Sequence, residues 1–224
     1  MLDYLPLFII LGGLGVMAYF LTRSGKKAEQ DRSTLAHEKG WTYIPHDRTV
    51  VFNIPDEERN ISYRLEGKTI SGISWAMTAR DLVTIEKTSR TKIELSPSTE
   101  FLAQKPYSEN FLIMPHDGIV IPDFILNEIF KRLRFPTGTP RLSDSELPSD
   151  LSKRYAVYST SNNLSEFMAR ATPLLNHWWE KFPRKEKALI LAGSPEGLKV
   201  RTEVGIDKDA DLEFFVETCL GLLE

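Results

Sequence analysis

Two loops of the chain carry the same short pattern of residues that could bind a metal ion. Pro-His-Asp, a short apolar run and Ile-Pro-Asp occur twice in this order, beginning at Pro45 and at Pro115. Imidazole and carboxylate groups are suitable metal ligands, and histidine titrates near neutral pH. If the two loops meet, they form a metal or acid–base site, whose candidate residues are His46, Asp47, His116 and Asp117. The other interpretation is two turns, in which proline fixes φ and aspartate hydrogen-bonds its own backbone.

No other segment carries a recognisable catalytic pattern. The sequence lacks the phosphate-binding motif GxxxxGKS/T, the dinucleotide-binding motif GxGxxG, and the HExxH and GxSxG motifs. Cys219 lies among apolar residues of a predicted helix, where a thiol is normally buried and unreactive. We therefore predict no catalytic residues and no cofactor, and a binding role rather than an enzymatic one.

Tryptophans beside basic residues form the most distinctive surface pattern. His177-Trp178-Trp179 is followed within eight residues by four basic side chains. Such a segment could rest on an anionic bilayer and sense the lipid surface. The candidate membrane-surface residues are Trp178, Trp179, Arg184, Lys185 and Lys187. In the alternative that we favour, Trp178 belongs to the core and the basic residues form a solvated turn, as is common on amphipathic helices.

The amino-terminal segment has the properties of a membrane span. Residues 4–22 contain no charged side chain, and as a helix they extend over about 28 Å, close to the hydrocarbon thickness of a bilayer. Aromatic residues lie near both ends, as in interfacial belts. A signal peptide would carry a positive charge near its start, whereas the first charged side chain here is the acidic Asp3. The pattern predicts one transmembrane helix over residues 4–22.

The flanking charges predict the orientation of this span. Basic residues follow the span within residues 23–33, and none precedes it. The positive-inside rule then leaves residues 1–3 outside and places the carboxyl side in the cytoplasm. We predict a single-pass protein of the cell inner membrane, with the lipid bilayer as a partner through residues 4–22 and residues 23–33 as a basic, polar linker.

The overall charge limits the classes of partner that the chain is expected to bind. The chain carries 28 Lys and Arg against 31 Asp and Glu, a net charge of −3. Proteins held to nucleic acid by phosphate contacts carry a basic excess, so we expect no nucleic-acid partner. A protein partner in the membrane or the cytoplasm fits this balance.

Residues 34–224 read as one α+β domain. Strand patterns occur at residues 41–44, 60–65, 68–75, 82–85, 91–95, 155–158, 188–192 and 198–204. Hairpin turns are expected at Glu66-Gly67 and at residues 195–197. Helical patterns occur before Gly40, over residues 122–134, after Asn163 and near the carboxyl end, and residues 96–110 read as a loop. Strands grouped apart from helices indicate α+β with a largely antiparallel sheet and packed helices. The Pro-, Ser- and Asp-rich residues 136–152 mark a possible sub-boundary.

The layout also resembles a group of bacterial single-pass membrane-anchored proteins of unknown function. The shared features are the amino-terminal span, the basic linker, Leu35-Ala36 followed by Gly40-Trp41-Thr42-Tyr43, and the strand–helix–hairpin–helix tract from Tyr155 to Leu223. These are structural residues, so the resemblance implies no catalytic position.

Together these observations predict a single-pass membrane-anchored protein with a cytoplasmic binding or interaction domain, an accessory subunit of a membrane complex. The alternative is a membrane-tethered metal-dependent hydrolase that uses the His/Asp loops.

Overall fold

The computed structural model describes residues 25–45, 60–88, 91–116, 121–133, 135–160, 164–206 and 208–224. The predicted span at residues 4–22 lies outside these residues. Within the described ranges, no helix combines the length and the apolar composition that crossing a bilayer requires. The described part of the chain has an α+β fold with an antiparallel sheet and several helices.

An eight-stranded antiparallel sheet forms the centre of the fold. Its strands, in the order in which they lie across the sheet, are β1 (Thr42–Pro45), β2 (Ile61–Lys68), β3 (Ser74–Arg80), β6 (Ser98–Ala103), β10 (Gly197–Thr202), β9 (Leu189–Ser194), β7 (Phe111–Pro115) and β8 (Tyr155–Ser159). The strands β4 (Val83–Thr88) and β5 (Thr91–Leu95) pair with each other as a separate hairpin.

Five helices accompany the sheet within the described ranges. They are α1 over residues 25–38, α2 (Asp123–Leu133), the one-turn α3 (Ser149–Ser152), α4 (Ser165–Lys181) and α5 (Asp209–Gly221). The same ranges contain short 3₁₀ turns at Asp144–Glu146 and Lys185–Lys187.

The pairing register shows which residues lie together at each of the two ends of the sheet. One row of paired residues crosses it at Tyr63, Ala79, Thr99, Thr202 and Leu189, and Pro115 pairs with Tyr155 at the same end. A second row crosses it at Gly67, Trp75, Ala103, Leu198, Gly193, Phe111 and Ser159. The rows are four residues apart along each strand, which is about 13 Å. We call the Tyr63 row the proximal end and the Gly67 row the distal end.

Successive side chains of a strand point to opposite faces of the sheet, and a hydrophobic core lies on each face. On β7 and β8, Phe111, Ile113 and Val157 face the larger core, where the apolar sides of α4 and α5 also pack. Their neighbours Leu112 and Ala156 face the smaller core, which α2 covers with Phe130 and other apolar side chains. Because successive strand residues point to opposite faces, strands covered on both sides are apolar throughout.

Helix α1 runs from the proximal end to the distal end. The Arg32 guanidinium lies 4.6 Å from the centroid of the Tyr63 ring, in the proximal row. Just after the helix, the Trp41 ring lies 5.6 Å from that of Trp75, in the distal row. Residue 25 precedes Arg32 by seven residues, or about 10 Å of helix. The first described residue of the chain therefore lies beyond the proximal end.

Helices α5 and α4 are aligned with α1. Arg32 Nε lies 3.9 Å from a carboxylate oxygen of Asp209, at the start of α5. Lys39 forms ion pairs with Glu213 and Glu217, further along α5, so α1 and α5 are parallel. Hydrogen bonds to the two carboxylates raise the pKa of the Lys39 ammonium, and the hydrogen bond to Glu213 has the larger effect.

Helix α4 lies antiparallel to α5. The Lys181 ammonium lies 3.3 Å from a carboxylate oxygen of Asp211, and the Trp178 ring stacks on that of Phe214 at 5.6 Å. Leu174, nearer the start of α4, lies against Gly221 at the end of α5. The end of α4 and the start of α5 are therefore both at the proximal end.

Two local expectations from the sequence are wrong. Residues 96–110 were expected to form a loop, but they contain β6, which lies between β3 and β10. The first hairpin was expected to turn at Glu66-Gly67, but β2 continues to Lys68. The turn lies further on and includes Gly72, whose φ of 84° is in the left-handed region that favours glycine.

Candidate functional site

Only one of the four candidate metal ligands lies among the described residues. His116 follows β7 at the proximal end, where its Nε2 lies 2.8 Å from the carbonyl oxygen of Ser152. His46, Asp47 and Asp117 lie outside the described residues. Elsewhere in the described ranges, no cluster of three or more His, Cys, Asp or Glu side chains is arranged to hold a metal ion. The metal site thus stays a prediction.

Trp178, one of the candidate membrane-surface residues, belongs to the core. It is 1% exposed and packs against the rings of Phe182, Phe214 and Phe215. Its Nε1 donates a hydrogen bond of 2.8 Å to the carbonyl oxygen of Lys187. This hydrogen bond joins α4 to the turn that precedes β9.

Trp179 lies near the surface at the proximal end. Its half-buried ring packs edge-on against Tyr155, with 6.1 Å between ring centroids. The Arg154 guanidinium lies 5.5 Å from the Trp179 ring and 3.2 Å from the Asn176 amide oxygen. A cation beside an indole ring is a favourable pair, and the combination suits an interface between water and lipid.

The basic candidates lie in the turn between α4 and β9, at the proximal end. Residues 181–187 contain four basic side chains and one acidic side chain. Arg184 and Lys185 are exposed, and Lys187 is half-buried with its ammonium 5.0 Å from the centroid of the Phe182 ring. The apolar Leu82, which is 62% exposed, follows the end of β3 at this same end. Basic and apolar groups therefore share the proximal end of the domain.

A cavity of about 300 Å³ lies at the distal end. It is formed by the loop between β6 and β7 and by the first turns of α4. Its polar side chains are Lys105, Tyr107, Ser108, Glu109, Glu166 and Arg170, and its apolar wall contains Phe111, Leu164 and Phe167. The rings of Phe111 and Phe167 are 4.4 Å apart, and that of Tyr107 meets both edge-on.

Three residues that line this cavity each have one buried polar atom without a hydrogen-bond partner within the described part of the chain. These atoms are the hydroxyl of Tyr107, one carboxylate oxygen of Glu109 and Nε of Arg170. Buried polar groups in proteins are normally paired, and leaving one unpaired costs about 1–3 kcal/mol.

The cavity's ionisable groups influence one another. Burial lowers the pKa of the Lys105 ammonium, and the nearby Arg170 charge lowers it further. Lys105 donates a hydrogen bond to the carbonyl oxygen of Leu223. Burial raises the pKa of Tyr107 to about 12, so its hydroxyl is protonated at neutral pH and can donate. Two cations, a tyrosine hydroxyl and the carboxylates of Glu109 and Glu166 therefore line the same cavity.

The cavity residues could not be recognised from the sequence. Lys105, Tyr107 and Glu109 lie in a stretch that reads as a loop, and Arg170 lies 61 residues beyond Glu109 on an amphipathic helix. No short motif links them, because the fold brings the two segments together. The one available sign was a loop that mixes aromatic and charged residues, which is common in surface loops.

No protein-family model and no curated protein sequence matches the chain. Among solved structures it is similar to the crystal structure of the mycobacterial trehalose monomycolate transport factor A, TtfA. The TM-score is 0.48 and the sequence identity is 12%, over 88% of this chain and 94% of that chain. A likeness at this level supports no conclusion about function.

Proposed function

We propose that the chain is a single-pass membrane protein whose α+β domain acts by binding, with its proximal end held against the bilayer. The observation that carries the proposal is the direction of α1. Its first residue lies beyond the proximal end, where Trp179 and the basic turn also lie. The described chain therefore begins on the side of the domain where the candidate surface residues Trp179, Arg184, Lys185 and Lys187 lie.

The short connection to the span supports this arrangement. If the span ends at Thr22, three Cα–Cα steps separate it from residue 25 and cover at most about 11 Å. A domain attached so closely must present the end from which α1 begins. Basic side chains near an anionic surface contribute about 1 kcal/mol each, and a half-buried tryptophan suits the headgroup region.

Tryptophan quenching by brominated lipids tests which end faces the bilayer. All four tryptophans of the chain follow residue 24, so the span contributes no signal. In nanodiscs that contain anionic brominated lipids, the full-length protein should show quenched tryptophan emission. Trp179→Phe should remove most of the quenching, whereas Trp41→Phe should leave it unchanged, because Trp41 lies towards the distal end. Equal loss in both variants, or no quenching in the wild type, would contradict the proposed orientation.

Charge reversal separates contact through the basic turn from simple tethering. The double variant Lys185→Glu, Lys187→Glu should reduce the quenching in anionic lipids and have little effect in neutral lipids. The matched control is Lys68→Glu, Lys131→Glu, since both lysines are exposed and Lys68 lies at the distal end of β2. If both double variants behave alike, the basic turn makes no specific contact with lipid.

The binding role includes a protein partner in the membrane or the cytoplasm, as expected of an accessory subunit. Gentle detergent extraction of the tagged full-length chain should recover a partner in fixed stoichiometry. A chimera that replaces residues 1–24 by an unrelated span should retain this partner, because the domain rather than the anchor would make the contact. Recovery that depends on residues 1–24 alone would argue against a binding role for the domain.

A further inference from the structure

We infer that the first turn of α2 inserts the side chains of Phe124 and Ile125 into the lipid at the boundary between headgroups and acyl chains. The exposure of these two apolar side chains and their place in the fold carry the inference. It rests on the proposal that the proximal end is held against the bilayer. To the contact through Trp179 and the basic turn it adds a second, apolar contact.

Phe124 and Ile125 belong to neither hydrophobic core. Phe124 is 71% exposed and Ile125 is 42% exposed. The smaller core is covered instead by Phe130 and by the partly buried Leu126 and Ile129 of the same helix. Single exposed apolar residues are common on protein surfaces, whereas adjacent ones at the start of a helix form a patch that marks an interaction site. Transfer of this patch out of water is favourable.

The first turn of α2 lies towards the proximal end. The chain leaves β7 at that end, where His116 lies against the carbonyl oxygen of Ser152. Further along α2, the Phe130 ring lies 5.3 Å from that of Tyr158, which is next to the distal row. Phe124 precedes Phe130 by six residues, or about 9 Å of helix. The exposed ring of Phe124 therefore lies on the proximal side of Phe130.

Exposed apolar side chains are concentrated towards the proximal end. Among the side chains that the structure describes, six large apolar ones are exposed. Ile70, in the turn after β2, and Leu102, next to the distal row, are the two at the distal end. The other four lie towards the proximal end and are Ile44, Leu82, Phe124 and Ile125.

The proximal contacts are spread as a flat surface requires. Leu82 follows β3, whereas α2 packs on β7 and β8, at least four strands further across the sheet, or about 19 Å. Trp179 and the basic turn lie on the other face of the sheet, because α4 packs on the larger core. Contacts on both faces at one end of a sheet match a plane such as a bilayer surface, rather than a groove for one peptide.

The chain itself brings this end close to lipid. The uncharged residues 4–22 are joined by residues 23–24 to α1, whose first residue lies beyond the proximal end. The charged side chain next to the apolar pair is the acidic Asp123, at the start of α2. Anionic lipid therefore does not attract this turn, so its contact should persist in neutral lipid, unlike that of the basic turn.

A tryptophan placed in the first turn of α2 tests this contact in nanodiscs of neutral brominated lipids. The parent is the full-length Trp179→Phe protein, which lacks the other surface reporter at the proximal end. Phe124→Trp in this parent should add quenching of tryptophan emission. Bromine near the headgroup should quench more than bromine near the chain end, because interfacial elements lie about 5–10 Å deep. The matched control is Ile70→Trp, at a fully exposed apolar position of the distal end, and its emission should not be quenched.

The outcomes separate this inference from the proposed function. If Trp179 of the wild type is quenched in anionic lipids but Phe124→Trp is not quenched in either lipid, the inference fails and the proposed orientation stands. Equal quenching of Phe124→Trp and Ile70→Trp would also overturn the inference. If neither Trp179 nor the introduced tryptophan is quenched, both proposals fail.

Polar replacement distinguishes lipid from a protein partner. The double variant Phe124→Ser, Ile125→Ser should reduce the quenching of Trp179 and leave a co-purifying partner bound. The matched control is Ile70→Ser, Leu102→Ser, since both residues are exposed at the distal end. Loss of the partner with unchanged quenching would assign the turn to a protein surface and overturn the inference, as would equal effects of the two double variants. Melting temperatures verify folding, and Phe124→Trp decides the case if a double variant is unfolded.

Discussion

Replacement of Trp178 by phenylalanine should destabilise the domain, because this indole joins α4 to the strand that follows the basic turn. The change removes the hydrogen bond from Nε1 to the Lys187 carbonyl, a loss of about 1 kcal/mol. It also removes packed atoms at a site that is 1% exposed. Complete truncation of a buried aromatic residue costs about 3–5 kcal/mol, so the partial loss is roughly 1–2 kcal/mol. The expected decrease in the free energy of unfolding is therefore about 2–3 kcal/mol.

This decrease can be measured as a shift of the melting temperature. For a chain of this size, 1 kcal/mol corresponds to about 2–4 °C, so Trp178→Phe should lower the melting temperature by about 4–12 °C. The assay is thermal unfolding of the full-length protein in detergent, followed by circular dichroism. Trp179→Phe is the matched control, since Trp179 is the next residue on the same helix and is only half-buried. Its melting temperature should fall by less than about 4 °C. Equal shifts in the two variants would refute the assignment of Trp178 to the core.

Three further predictions concern the core and the cavity. Gly193→Ala should destabilise the fold by about 1–3 kcal/mol in denaturant unfolding, because a Cβ there would lie 2.1 Å from an atom of the Phe111 ring. Gly25→Ala, where a Cβ meets nothing within 4 Å, is the control, and an equal effect would contradict the clash. Tyr107 has its pKa raised to about 12 by burial, so the folded state holds this proton more tightly than the unfolded state does. Stability should therefore fall as the pH rises from about 10 to 12, by at most about 1.4 kcal/mol per pH unit, and Tyr107→Phe should reduce the slope. Cys219 is fully buried and its thiol pKa is raised by burial, so a thiol reagent should modify it only after denaturation. Rapid modification of the native protein would show that the helix opens.

The sequence predicted those elements whose own residues carry a recognisable pattern. The strand patterns at residues 188–192 and 198–204, with Pro195 and Gly197 between them, predicted a hairpin, and the structure confirms it with Ser194 paired to Gly197. Helix α2 was predicted over residues 122–134 from its capping residues and apolar face, and it spans Asp123–Leu133.

Elements that depend on distant partners were not predicted. Strand β6 lies between β3 and β10, and its first residues, Ser98 and Thr99, are polar yet buried. Strand β7 is apolar without alternation, because the sheet is covered on both faces there, so its sequence shows no period of two. The cavity groups likewise come from two segments that only the fold brings together.

The parallel alignment of α1 and α5 has a mechanical consequence. A pull on the chain at residue 25, directed along α1, slides that helix lengthwise past α5. Lys39 with Glu213 and Glu217, and Arg32 with Asp209, would then be loaded in shear and at the same time. The hydrogen bonds of the sheet would not be opened one after another, because α1 is not a strand of the sheet. Tension from the amino-terminal side is thus transmitted first to the last helix of the chain, and an optical-trap experiment would detect it as one concerted rupture that weakens at high salt.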